Sequence, residues 1–193
     1  MKLLRVLVAS VVSIVSVSAS TEVGYDLQLS RFKQPTNDHA QTYCAPASAA
    51  KPLYRAYSAS ATDHFYTMNY TEYLNAVHHL GYSPEGIACK IFPNSKAAGV
   101  APLYRLYSPG WTDHFYTASA AEATNAATKL GYTREGIVGY IFADNHCGGI
   151  PFYRLYQPTI LDHFYTTSAP ERDNAAQRLG YVEEGIAAYV IPA

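Results

Sequence analysis

The sequence predicts an α+β, β-rich fold. Three repeats of about 50 residues, each β-β-α-β, are expected to close with pseudo-threefold symmetry into a propeller-like ring. Three observations predict it. The string Pro52-Leu53-Tyr54-Arg55 recurs as Pro102-Leu103-Tyr104-Arg105 and as Pro151-Phe152-Tyr153-Arg154, at spacings of 50 and then 49 residues. Asp63-His64-Phe65-Tyr66-Thr67 recurs unchanged at 113–117 and 162–166, always eight residues after the arginine. Glu85-Gly86-Ile87 recurs as Glu135-Gly136-Ile137 and Glu184-Gly185-Ile186. A unit of this size with one short helix buries too little apolar surface to stand alone, so three units should share a core. A β-trefoil has a similar period and is the alternative, but its repeat contains no helix.

In chain order, residues 1–20 read as a signal peptide. Lys2 and Arg5 precede an apolar stretch over 6–17, and Val17-Ser18-Ala19 or Ser18-Ala19-Ser20 supplies a small-x-small cleavage pattern. The stretch falls short of the roughly 20 apolar residues a membrane span needs, so no membrane span is expected and the localisation is secreted and extracellular. Residues 21–50 are polar, carry Pro35 and Pro46, and read as an extended lead-in. The single three-repeat domain covers 51–193, with repeats at 51–100, 101–149 and 150–193.

The second repeat illustrates the unit. Residues 103–107 and 113–117 are aromatic-rich strands separated by Ser108-Pro109-Gly110-Trp111-Thr112, which carries turn chemistry and predicts a hairpin. Ser119 and Ser168 precede Glu122 and Glu171 by three residues, the capping-box spacing, and Asn69 with Glu72 is the same device. About three helical turns follow, with Ala123, Ala126, Ala127 and Leu130 on one face and Gly131 as a C-terminal stop. A last strand over 136–142 has apolar residues on both faces, so both are expected to be covered.

Composition narrows the function. With 14 Lys and Arg against 15 Asp and Glu, a formal charge of -1 and no basic block, the chain lacks the electrostatic footprint of a nucleic-acid binder. Loss of Lys2 and Arg5 with the signal peptide leaves 12 basic against 15 acidic residues, so the mature chain is mildly acidic. The 18 tyrosines are the compositional anomaly, and 14 of them fall at repeat-aligned positions. The bias is therefore a motif copied three times.

The proline-hydrophobic-Tyr-Arg-x-Tyr, Asp-His-Phe-Tyr-Thr and Gly-Tyr-x-x-Glu-Gly-Ile motifs together resemble a triple-repeat domain of unknown function found in secreted fungal and bacterial proteins. The resemblance covers residues 52–192. It implies an adhesion-type or lectin-like module, alone or beside secreted hydrolases and peptidases, and it brings no assigned catalytic residues.

If Tyr57 pairs with Asp63 across a five-residue loop, Leu53, Arg55, Tyr57, Asp63, Phe65 and Thr67 share one hairpin face. Arg55 is then expected to pair with Asp63, Arg105 with Asp113 and Arg154 with Asp162. The other face joins Tyr54, His64 and Tyr66, with Tyr104, His114 and Tyr116, and Tyr153, His163 and Tyr165, as its counterparts. Flat rings with polar tips are the chemistry of a sugar site. Asp63, Asp113, Asp162 and the exposed loop residue Trp111 complete the candidate ligand-binding set. A metal site built from the three histidines is weighed and set aside, because a histidine beside Asp on a strand is more often a hydrogen-bonded structural residue. No metal and no cofactor is expected. Glu85, Glu135 and Glu184 could act as general acids or bases, but each precedes a glycine at a strand entrance, where a salt bridge or a backbone cap is the commoner use.

Cys44 and Cys147 each lead into a repeat and are expected to form a disulfide, with Cys44–Cys89 as runner-up. Cys89 aligns with Gly139 and Ala188 and should be a core thiol. Asn69-Tyr70-Thr71 is the only glycosylation sequon. No catalytic motif is present, and a polar signature copied three times suits repeated weak binding better than catalysis. The function expected is therefore a monomeric, secreted, non-catalytic module that binds carbohydrate or cell-wall glycan with one site per repeat. The alternatives are a secreted hydrolase or metal-dependent enzyme using the Asp-His pairs, and a structural or protein-interaction scaffold.

Overall fold

The computed structural model describes residues 44–193. The signal-peptide reading and most of the lead-in lie outside these residues. The described residues are β-rich, with three α-helices and two antiparallel sheets. After a short 3-10 turn at Ala47–Ala49, the elements are β1 (Lys51–Ser58), β2 (Asp63–Thr67), α1 (Tyr70–His79) and β3 (Ser83–Ile91). They continue with β4 (Val100–Ser108), β5 (Asp113–Thr117), α2 (Ala120–Lys129) and β6 (Thr133–Phe142), then β7 (Ile150–Gln157), β8 (Asp162–Thr166), α3 (Ala169–Arg178) and β9 (Val182–Val190). The three helices leave no place for the β-trefoil alternative.

One sheet has the order β2-β1-β3 and the other β5-β4-β6-β9-β7-β8. In each segment the proline-tyrosine-arginine strand lies between its hairpin partner and its last strand, with the same register in all three. That register differs by one residue from expectation. Ser58 pairs with Asp63 and Tyr57 with His64, so the loop has four residues and Ser58 belongs to the strand. Because side chains alternate across a strand, the shift exchanges the expected partners. Arg55 stands opposite Tyr66, and Tyr54 stands opposite Thr67 on the other face from His64. The loop closes with Thr62, Thr112 and Leu161 at φ of 53°, 52° and 60°, in the left-handed region.

The helices end as their glycines require. In α2 the Tyr132 and Leu130 N–H groups both donate to the Ala126 carbonyl, at 3.2 and 3.1 Å, with Gly131 at φ 77° between them. Ser119 accepts from the Glu122 N–H at the other end. Ala123 and Ala126 are buried, whereas Leu130, the C-cap residue beyond the last helical turn, is 45% exposed and lies outside the core. The last strands are not covered throughout either. Residues 133–137 of β6 are exposed, Ile137 included, and burial begins only at Gly139.

One buried cluster draws on all three segments: Leu53, Leu103 and Phe152; Tyr66, Tyr116 and Tyr165; and Cys89 with Ala188. Gly139 occupies the remaining small position. A Cβ there would lie 2.5 Å from Met68 Sδ and 2.6 Å from Ile91 Cδ1. Cys89 is a buried free thiol whose burial raises its pKa. Cys44 and Cys147 form the expected disulfide, with Cα atoms 5.4 Å apart.

Candidate functional site

Tyr66, Tyr116 and Tyr165 meet edge to face in the middle of this cluster, with ring centroids 5.3–5.6 Å apart. The Tyr116 hydroxyl accepts from the Tyr66 N–H at 2.8 Å and donates to the Tyr66 carbonyl at 2.9 Å. Tyr165 does the same for Tyr116, and Tyr66 for Tyr165. Strands β2, β5 and β8 do not pair with one another in either sheet, so these side chains satisfy backbone groups that a ladder would otherwise serve. All three tyrosines are sealed from solvent, and burial holds their hydroxyls protonated. They are core residues and do not line an open face.

The aspartates are equally enclosed. Asp63 accepts from the His114 backbone N–H at 2.8 Å, from His114 Nδ1 at 2.6 Å and from the Tyr82 hydroxyl at 2.5 Å. Asp113 holds His163 and Tyr132 in the same way, and Asp162 holds His64 and Tyr181. Each buried carboxylate therefore has three donors, which offsets the cost of removing its charge from water. The three carboxylates converge, with one oxygen from each within 4.8 Å of the others. Each of them already accepts from two histidine N–H groups and one tyrosine hydroxyl of the chain itself. Burial beside the aspartate pushes the Tyr82, Tyr132 and Tyr181 hydroxyls well above the usual tyrosine range.

The expected Arg–Asp pairs do not form. Arg105 binds both oxygens of Glu72, at 2.8 and 3.1 Å, and its Nε lies 2.8 Å from Glu135 Oε2. Arg154 joins Glu122 to Glu184, and Arg55 joins Glu171 to Glu85. Two local devices aim the glutamates. Glu72, Glu122 and Glu171 occupy the capping-box position of their helices and also accept from the hydroxyls of Thr67, Thr117 and Thr166. Glu85, Glu135 and Glu184 sit at a break in strand register, beside a glycine with φ of 88°, 126° and 99° in turn. Of the salt bridge or backbone cap expected of these last three glutamates, the structure has the salt bridge. Burial alone would raise the pKa of Glu72, Glu122 and Glu171, but hydrogen bonds from arginine and threonine overcome it and hold these carboxyls below the usual range.

Three pockets open beside these glutamates, each between one segment and the next. The first, of 220 Å³, is lined by Phe65, Asn75, Leu80 and Tyr82 on one side and His114 and Glu135 on the other. The second, of 330 Å³, has Phe115, Asn125, Leu130 and Tyr132 facing His163 and Glu184, with Trp111 and Tyr156 added. The third, of 390 Å³, has Phe164, Asn174, Leu179 and Tyr181 facing His64 and Glu85, with Tyr57 and Ile160 added. In each, histidine Nε2 lies 3.7–3.9 Å from the second glutamate. A fourth cavity of 470 Å³ shares Glu72, Arg105 and Glu135 with the first, but is lined by Lys51, Met68, Pro93 and Val138 and holds no histidine or aromatic ring.

Of the expected binding residues, only His64, His114, His163 and Trp111 reach a pocket. Trp111 is 40% exposed and packs edge-on to Tyr132 at 5.6 Å. Tyr54 instead stacks on Tyr73 and meets Tyr70 at a tilt, each at 5.1 Å; Tyr104 packs against α2; and Arg172 lies over the Tyr153 ring at 4.4 Å. Asn69 is exposed and caps α1 through its side-chain oxygen. The pocket residues not assigned to a site from sequence include Asn75, Asn125 and Asn174 and the exposed Leu80, Leu130 and Leu179, of which Leu130 is expected from sequence on the buried helix face. Their signal was available, since both sets recur at the same spacings of 50 and 49.

Fold and site together define a β-rich, disulfide-bonded module with three like pockets between its segments. The chain belongs to the family described as Domain of unknown function (DUF5648), whose profile matches residues 24–191. No curated protein and no solved structure matches it.

Proposed function

We propose that the protein is a secreted, monomeric, non-catalytic carbohydrate-binding module in which the three segments close about a pseudo-threefold axis and each junction forms one binding site. The observation that carries the reading is the recurrence of the same pocket at three junctions. Each joins aromatic rings and an exposed leucine to an imidazole, a carboxylate and an amide. Apolar rings suit the C–H faces of a pyranose, and the polar groups suit its hydroxyls. The cyclic order of the Asp–His contacts, first segment to second, second to third and third to first, supports the threefold closure. The disulfide is compatible with an extracellular setting, and no helix among the described residues is long and apolar enough to cross a membrane. Several weak sites on one rigid body would gain through avidity on a polysaccharide surface.

A glycan array followed by calorimetry tests it. Binding of a defined oligosaccharide class, weakened by His163→Ala with Trp111→Ala, is the expected result. No binding to any wall polysaccharide or oligosaccharide would end the reading.

One observation favours a second reading. Each histidine is oriented by a buried aspartate and presents Nε2 to a pocket, as a general base would. Turnover of a glycoside or ester by the purified protein, lost in His64→Ala, His114→Ala and His163→Ala together, would establish it.

A further inference from the structure

We infer that the three pockets select an amine-bearing sugar: a hexosamine whose 2-amino group is free and protonated, in preference to its N-acetylated, neutral or acidic counterparts. The inference rests on the carbohydrate reading of these pockets and adds the charge and hydrogen-bonding character of the ligand.

The cationic donor at each pocket is turned toward glutamate, and the tyrosine beside it toward aspartate. Both terminal nitrogens of Arg154 are held by Glu122, and its Nε lies 2.8 Å from Glu184. The Tyr132 hydroxyl donates to Asp113. His163 Nδ1 faces the same carboxylate at 2.6 Å, so that nitrogen is engaged within the chain and Nε2 is the one turned to the pocket. The acceptors are less committed. Arg154 Nε and His163 Nε2 both approach Oε2 of Glu184, so Oε1 keeps its lone pairs, and the side chain is 31% exposed. Asn125 is exposed on the same wall.

Charge points the same way. Glu122 and Glu184 line the pocket against the single guanidinium of Arg154, a surplus of one negative charge, and the same count holds at the other two junctions. An ammonium group brings three donors and the complementary charge. A carboxylated sugar would meet lone pairs and like charge. An N-acetyl group would replace the cation with a neutral amide that offers one donor. The Tyr132, Leu130 and Trp111 side chains remain for the sugar ring.

The experiment is calorimetry of the full protein with five probes: the β-1,4 disaccharides of glucosamine, of N-acetylglucosamine and of glucose, digalacturonate, and dilysine. The buffer must be acidic enough to protonate the sugar amine and above the glutamate range. The expected result is diglucosamine bound at least about tenfold more tightly than the other four, with affinity falling as salt rises. Glu184→Gln should lower the diglucosamine stoichiometry from three to two. Asn125→Ala, which touches none of the ion pairs, should weaken the same site and decides the matter if Glu184→Gln fails to fold. Equal binding of cellobiose, stronger binding of digalacturonate, or equal binding of dilysine overturns the selectivity while leaving the pockets as sites. Unchanged binding by Asn125→Ala and by a folded Glu184→Gln also overturns it. Failure of all four sugars to bind overturns the carbohydrate reading itself.

Discussion

At the residue scale, the repeated Asp-His-Phe-Tyr-Thr string is a set of instructions for joining neighbouring segments. Each aspartate captures the histidine of the next segment, each tyrosine bridges the backbone of another, and each threonine backs a helix-capping glutamate. Tyr116→Phe removes one hydroxyl and strands both backbone groups of Tyr66 in the core. Burial without partners should cost about 2–4 kcal/mol, read as a lower midpoint in urea unfolding. The glutamates give a pH dependence of defined sign. Glu72, Glu122 and Glu171 have folded-state pKa values below their usual value of 4.5. The stability they contribute is therefore complete above the unfolded value and is lost as pH falls through the folded one. Thermal melts should show a decline below about pH 4.5. That decline should be smaller in Glu171→Gln, which loses the titrating group but keeps an oxygen toward Arg55.

At the element scale, the hairpin loop decides which chemistry faces which way. Thr62 donates through Oγ1 to the Ile160 carbonyl at 3.0 Å, and Thr112 to the Ala61 carbonyl at 2.8 Å, so each loop leans on its neighbour. The third loop has Leu161 at that position, a γ-branched side chain at φ 60° with no hydroxyl to donate. Leu161→Thr should supply the missing bond to the Trp111 carbonyl and stabilise by about 1 kcal/mol, a rise of roughly 2–4 °C in the melting midpoint. The capping boxes, helix lengths, glycine stops and small-residue position of the last strand were all legible, because each is written in neighbouring residues. The hairpin register was not. Four- and five-residue loops fit the same turn-rich string, and the choice depends on Ser58 entering the strand and on loop contacts across segments. That single step moved Arg55 away from Asp63 and Tyr54 away from His64.

At the scale of the whole molecule, one disulfide links residues 103 positions apart, tying the chain before β1 to the connector before β7. Closing so long a loop restricts the unfolded chain, so reduction or Cys44→Ala with Cys147→Ala should destabilise by about 2–4 kcal/mol in denaturant titration. Core packing at the junctions is fitted pairwise. Met68 of the first segment packs against Gly139 of the second, and Thr167 of the third donates to the carbonyl of Ala88 in the first. The three junctions are therefore alike in their polar contacts and different in their core packing.

The sequence by itself determined the order of strands and helices, their caps and stops and the burial of Cys89, because local spacing and composition specify these, while the structure chose Cys44–Cys147 over Cys44–Cys89. It also marked the residues that matter, through their exact-interval recurrence. The tertiary structure decided their partners. Arg55 meets Glu171 and His64 meets Asp162 across 116 and 98 residues of chain, and contacts of that range follow from hairpin register and from which segment lies beside which. For the same reason the aspartates and central tyrosines are core, while asparagines and leucines on the helices shape the open pockets.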